Sequence, residues 1–212
     1  MKPLTLFCFA VKEEAKFFTP PPAAQVLLTG IGQANAEKAI RSALADARPS
    51  LVLSCGFAGG LRPDLGAGTV VFDAGDNVPL TAALREAGAQ PVRFHCVQRV
   101  ATTAAEKQAL RQTTGADAVE MESRFIRAVC SQQAVPGATV RVILDTSSED
   151  LPLDFNQLLT PELELDGRKL ALAIMKAPGK IGALRRLQKQ SETAARKLAD
   201  VLAAAVRNAS SQ

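Results

Sequence analysis

The chain contains no tryptophan, no tyrosine and a single histidine. With aromatics at 4%, the stacking platforms that hold single-stranded nucleic acid are scarce. His95 stands alone, and the four cysteines, Cys8, Cys55, Cys96 and Cys130, form no Cys-x-x-Cys pair. That excludes the usual ligand spacing of a structural zinc and reads as reduced core thiols in a cytoplasmic protein. No stretch approaches the ~20 apolar residues of a bilayer span, so stable membrane insertion is not expected. Nothing in the pattern calls for a cofactor.

What is present suits a folded enzyme-sized unit. Hydrophobic residues make up 47% of 212 positions, enough to bury a core without staples, and residues 1–212 read as one domain. The opening apolar stretch, residues 4–11, reads as a first strand and not as a signal peptide, because Lys12-Glu13-Glu14 follows with no separate cleavage region. The formal net charge is +4, with much of the excess late, at Lys176, Lys180, Arg185, Arg186, Lys189, Arg196, Lys197 and Arg207. The plain reading is a solvated helix face; a nucleic-acid module is the competing one.

Strand-like and helix-like segments alternate. Apolar runs of strand length occupy residues 4–11, 24–29, 51–55, 69–73, 92–97 and 140–144. Helical periodicity marks residues 35–47, 104–112, 121–132 and 191–207. Such alternation argues for a mainly parallel sheet covered on both faces. In sheets of that kind, ligands sit beyond the carboxyl ends of strands. Those ends carry Lys12-Glu13-Glu14, the glycine stretch Gly56-Phe57-Ala58-Gly59-Gly60, and Asp145, while Val119-Glu120-Met121-Glu122 enters a helix between two of them.

Each candidate also has a plainer explanation. Glu13 and Glu14 suit the first turn of a helix, and Asp145 before Thr146-Ser147-Ser148 suits a helix cap. The glycines suit a tight turn. Glu120 and Glu122 lie two apart, so one is expected inward and the other at a cap or in solvent. His95 reads as a half-buried strand residue. Cys55, without a partnered histidine in sequence, reads as core and not as a nucleophile.

Taken in order, five pieces resemble the superfamily of nucleoside phosphorylases and methylthioadenosine/S-adenosylhomocysteine nucleosidases. They are Ala10-Val11-Lys12-Glu13-Glu14, Thr29-Gly30-Ile31-Gly32-Gln33-Ala34-Asn35-Ala36, Gly56-Phe57-Ala58-Gly59-Gly60-Leu61, Val119-Glu120-Met121-Glu122-Ser123 and Arg141-Val142-Ile143-Leu144-Asp145. A closer likeness, to the hopanoid-associated branch that acts on adenosylhopane, rests on three stretches. These are Ala101-Thr102-Thr103-Ala104-Ala105-Glu106-Lys107, Met121-Glu122-Ser123, and Leu151-Pro152-Leu153 followed by Leu165-Asp166-Gly167.

The resemblance implies an α/β fold, a three-layer α/β/α sandwich with a mixed, twisted central sheet. It implies cleavage of the N-glycosidic bond of a purine nucleoside, probed by acid at the base and water at the sugar. Glu14 would be the general base and Asp145 the acid, while Glu122 holds ribose hydroxyls and favours an oxocarbenium-like centre. Met121, Glu120, Phe57, Ala58, Gly59 and Gly32 would line the substrate. A homodimer is the implied assembly.

Two departures shape the expected acceptor. Phe57 stands where many members carry Ser, and residues 10–14 and Leu53-Ser54 hold no arginine. Both favour water over phosphate, unless Arg41 or Arg62 serves as the cation. Phosphorolysis of the same bond and an inactive nucleoside-binding relative are the alternatives. The stretch between Asp73 and Val92 is short for the family, and residues 100–103 bring no aromatic under the base. The expectation is a site with room for a bulky apolar 5′ group, covered by Phe57 or Leu61.

Overall fold

The computed structural model describes residues 4–164 and 166–209, so Leu165, within one of the hopanoid-type stretches, and residues 1–3 lie outside it. Three parallel strands come first in the sheet: β1 (Thr5–Phe9), β2 (Ala24–Leu28) and β3 (Leu51–Gly60). β4 (Val70–Asp73), the short β5 (Gln90–Pro91) and β6 (Phe94–Cys96), β7 (Ala118–Glu120) and β8 (Gly137–Asp145) complete eight strands among the described residues.

The sheet order is β2-β1-β3-β8-β4-β5, with β7 paired to the outer half of β3 and β6 to β7. β1, β2, β3 and β8 run parallel, whereas β4 is antiparallel to β8 and β7 antiparallel to β3. The sheet is therefore mixed, as the resemblance implies.

The helices are α1 (Lys12–Ala15), α2 (Gln33–Asp46), α3 (Val78–Glu86), α4 (Ala104–Thr114), α5 (Ser123–Gln132), α6 (Phe155–Leu158), α7 (Gly167–Lys176) and α8 (Ile181–Ala209). Alternation along β1 decides the layers, since successive side chains point to opposite faces. Leu6 and Cys8 join Ala36 and Ile40 of α2 with Ile126, Val129 and Cys130 of α5. Phe7 and Phe9 join Leu80 and Leu84 of α3 with Leu198 and Leu202 of α8. Each face thus has its own helical layer, and burying these side chains is the main stabilising contribution.

Local chemistry sets several ends. Thr103 and Glu106 form a reciprocal capping box at the start of α4, and Gly115, at φ 65°, ends it in the left-handed conformation that glycine adopts without strain. Asn77 caps α3 through Leu80 N–H, and Asp166 caps α7 through Arg168 and Lys169 N–H. Asn and Asp suit these positions because a short side-chain oxygen reaches an unpaired amide of the first turn.

Several elements depart from the expectations, among them α3, α6 and α7, which lie where the periodicity marks no helix. The Gly56–Gly60 stretch is not a loop: β3 continues through it, hydrogen-bonded to β8 and then β7. Ala118–Glu120 is a strand, β7, so the following helix starts at Ser123 and not at Met121. α8 begins ten residues before the periodic stretch at 191–207. Three-residue strands and polar first turns carry too little periodicity to be read alone.

Candidate active site

Three buried acids and one buried arginine meet at the carboxyl ends of β1 and β7, beside the middle of β3 and β8. Arg141 lies opposite Gly56 in the parallel β3–β8 register and is almost fully buried. Its Nη2 donates to Glu120 Oε2 at 2.8 Å, Glu122 Oε2 at 3.2 Å and Ser54 Oγ at 3.1 Å, and its Nη1 to Cys55 O at 3.1 Å. Glu120 is further held by the N–H groups of Glu122 and Ser123 and by Ser123 Oγ. Glu122 Oε1 accepts from Gly32 N–H at 2.9 Å, at the start of α2, where the helix dipole favours an anion.

Glu14 stands on the other side of Gly56. Its Oε1 accepts from Phe57 N–H at 2.8 Å, and its Oε2 from Ala10 N–H at 2.8 Å and Val11 N–H at 3.3 Å. Gly56 is required here. A Cβ at that position would fall 2.4 Å from Glu14 Oε1 and 2.5 Å from Arg141 Nη1, and its φ of 144° is one that other residues rarely adopt.

Electrostatics follow from counting. Three buried carboxylates share one buried guanidinium. Burial pushes the Glu122 carboxyl up to about 7, Arg141 opposes that, and Glu120 and Glu14 add to it. Burial likewise raises Glu14, opposed by Arg141 and by its three backbone N–H donors. Burial alone would lower the Arg141 guanidinium, but Glu120, Glu122 and Glu14 outweigh it and keep the group charged. A carboxyl titrating near neutrality exchanges a proton at little cost, which suits acid–base work.

The second part lies further along β3. The β3–β8 register shifts between Ala58 and Gly59, so that Ala58 faces Ile143 but Gly59 faces Asp145, and Leu144 has no opposite number. Such a bulge re-aims side chains locally. A Cβ at Gly59 would lie 3.7 Å and 3.9 Å from the two Asp145 carboxylate oxygens. Asp145 forms an ion pair with Lys107, a fully buried lysine of α4. Lys107 Nζ also donates to Thr146 O at 2.9 Å and Glu149 O at 2.7 Å. Burial raises the Asp145 carboxyl above the usual range, with Lys107 pulling the other way. The two parts are three residues apart on β3, roughly 10 Å at the rise of a strand.

The remaining sequence candidates take varied places. Glu120 and Glu122 both point inward to Arg141, contrary to the expectation that one would cap or face solvent. Phe57 offers its N–H to Glu14, and its half-buried ring packs against the core cluster that holds Leu198 and Leu202 of α8. Leu61 is buried with Ala116 and Val119, Ala58 with Leu65 and Ile143, and Met121 is buried beside Glu122. Gly32 N–H is engaged by Glu122. Within the chain, Arg62 pairs with Asp64 and Asp117, and Arg41 bonds Gln132. Cys55 is a buried thiol pushed up by burial, fit for packing and not for attack. His95 is half-buried in β6, as expected, lining a hollow with Arg124 and Arg127 that Glu120 and Ser123 also border.

Two participants escaped the sequence reading. Arg141 sat within a quoted stretch, but a charged residue inside an apolar strand was the available signal: Val140-Arg141-Val142 breaks a run buried on both faces. Lys107 carried no such mark, because it follows Glu106 in an ordinary helical pattern.

Comparison with known proteins agrees with this architecture. The family model described as "Phosphorylase superfamily" matches residues 77–176. A 5′-methylthioadenosine/S-adenosylhomocysteine nucleosidase of Geobacillus kaustophilus is 28% identical over 170 residues, covering 64% of this chain and 72% of that protein. One of Anoxybacillus flavithermus is 26% identical over 168 residues, covering 63% and 72%. Among solved structures, such a nucleosidase from Colwellia psychrerythraea 34H, in complex with adenine, superposes with a TM-score of 0.70 at 15% identity, covering 98% of this chain and 96% of that one. A futalosine hydrolase of Helicobacter pylori gives 0.65 at 17% identity, covering 95% and 97%. At these identities the superpositions speak for the α/β sandwich.

Proposed function

We propose that this chain, which belongs to the phosphorylase superfamily, hydrolyses the N-glycosidic bond of a purine nucleoside. The observation that carries this reading is the asymmetry of the site: three carboxylates around one arginine at one end, a carboxylate–lysine pair at the other. Breaking a ribosyl–purine bond builds positive charge on the sugar and negative charge on the base. An acid-rich end with a surplus of negative charge stabilises the first, and a protonated pair relieves the second.

The steps balance. Glu14 has three N–H donors on its two oxygens, which leaves an acceptor site for a water proton. Water oxygen bonds to C1′ as the C1′–N9 pair of electrons leaves with the purine, and Glu14 takes the water proton. The purine takes a proton from the Asp145 carboxyl, which Lys107 holds in place, and the cycle closes when Glu14 releases its proton to solvent and solvent returns one to Asp145. Glu122 holds the ribose hydroxyls, as its place beside Met121 and Gly32 suggests. Water is favoured over phosphate because the arginine of the cluster, Arg141, is already committed to Glu120 and Glu122. An added dianion would face unneutralised carboxylates.

The finer part of the proposal is an adenine nucleoside with an apolar 5′ substituent, of the adenosylhopane kind. It is supported by Leu163, whose Cδ1 lies over the Gly32 turn beside Glu122, and by the short chain between Asp73 and Val92. The test is incubation with adenosine, methylthioadenosine and a long 5′-alkyl adenosine, with and without phosphate. Free adenine with a free sugar is expected in every positive case. A ribose 1-phosphate product would overturn the acceptor, equal rates for all three nucleosides the apolar substituent, and no free base the activity.

A further inference from the structure

Residues 167–191 contain seven basic side chains and no acidic one: Arg168, Lys169, Lys176, Lys180, Arg185, Arg186 and Lys189. They span α7, the turn Pro178–Lys180 and the first turns of α8. Among the described residues, none of the seven forms an ion pair with a carboxylate.

The same surface exposes large apolar side chains. Leu172 is 48% exposed, Met175 73% and Ile181 38%. On α7, Leu172 and Met175 are three apart and share a side. Arg168 precedes Leu172 by four residues and Lys176 follows it by four, so the cations flank the apolar pair. Leu170 and Ile174, on the opposite side of the helix, are the half-buried ones. α7 therefore presents two apolar sides, of which only one is turned to the protein.

We propose that the outer side of α7 and the start of α8 dock on a membrane surface bearing anionic phospholipid headgroups. Charge complementarity carries the choice of occupant. A surface that is apolar at its centre and basic at its margin places side chains at the acyl boundary and ammonium or guanidinium groups among phosphates. A nucleic acid would satisfy the charges and leave Leu172, Met175 and Ile181 in water. A second copy would set seven cations against seven. No helix among the described residues is long and apolar enough to cross a membrane, so this is attachment and not insertion.

The surface adjoins the candidate site. Lys169 Nζ donates to Leu159 O, and Asn35 Nδ2 donates to Glu162 O. Glu162 and Leu163 thus rest against Asn35 and the Gly32 turn that binds Glu122. The docking does not depend on the reaction proposed above.

Flotation of the whole chain with vesicles tests it. We expect co-flotation with phosphatidylcholine vesicles containing a third of phosphatidylglycerol, none with phosphatidylcholine alone, and release at high salt. Lys176→Glu with Lys180→Glu should weaken partition by roughly fivefold or more per charge. Leu172→Asp with Met175→Asp should abolish flotation while thermal unfolding and turnover of a water-soluble nucleoside stay as in the parent. Absence of flotation at low salt overturns the proposal. So does a light-scattering dimer that Met175→Asp dissociates, or salt-sensitive DNA binding that is tighter than vesicle binding and untouched by the two aspartates.

Discussion

The two ends of the candidate site use the same kind of group under opposite conditions. Around Arg141, three carboxylates share one positive charge; around Lys107, a single carboxylate has an ammonium to itself. Both ends are buried, and burial raises the acids at both. The counter-charge then separates them. At the first end, the acids' mutual repulsion adds to burial, which leaves surplus negative charge and a carboxyl at about 7. At the second, Lys107 opposes burial and has no second acid of the cluster to neutralise. The lesson is that burial alone assigns no role to an acid; the ratio of charges around it does.

The first way to break the comparison is to remove the shared cation. Arg141→Met leaves three buried carboxylates without a counter-charge, and one broken buried pair costs about 3–5 kcal/mol. We expect the largest loss of stability here, measured by urea unfolding. If the protein unfolds at the parent midpoint, the cluster is not held by charge.

Next is the other end. Asp145→Asn should lower turnover by about 10²–10⁴-fold, the scale of a lost general acid. Lys107→Met should impair turnover as well and destabilise the fold, because it strands a buried carboxylate. The double variant should be more stable than Lys107→Met alone, since removing both partners leaves no unpaired charge. A double variant no more stable than that single one would mean that the two groups do not interact.

The pH dependence sharpens the contrast. Glu122 has a folded value raised from 4.5 to about 7. Its contribution is therefore fully present below about pH 4.5 and is lost as pH rises through 7, up to about 3 kcal/mol in all. Glu122→Gln should flatten the stability profile across that window. Unchanged curvature in thermal melts from pH 4.5 to 7 would show that Glu122 is not the titrating group.

The smallest expected effect concerns the helix that carries Lys107. Thr103→Ala removes the cap at Glu106 N–H and should cost about 1 kcal/mol. Turnover should fall little, because Lys107 is also held by Thr146 O and Glu149 O. A loss of turnover as large as that of Lys107→Met would mean that the cap positions the ammonium.

Much was legible in the chain itself, for definite reasons. The apolar runs at 4–11, 51–55 and 140–144 became β1, β3 and β8, because strands buried on both faces must be apolar throughout, and the run at 24–29 became the edge strand β2. The amphipathic stripe at 35–47 became α2 with Ala36 and Ile40 inward. Glu14, Glu122 and Asp145 could be singled out because acids at strand ends interrupt an apolar pattern. Their neighbours could not. Glu120 turns inward because Arg141, twenty-one residues later, lies opposite it, and Lys107 meets Asp145 only through the packing of α4 against the end of β8. Local sequence determined which segments were strand and helix and which acids stood at their ends, since periodicity and capping act over a few residues. Only the tertiary structure decided which charges share a site, because that depends on register: Gly56 against Arg141, then a one-residue shift that sets Gly59 against Asp145.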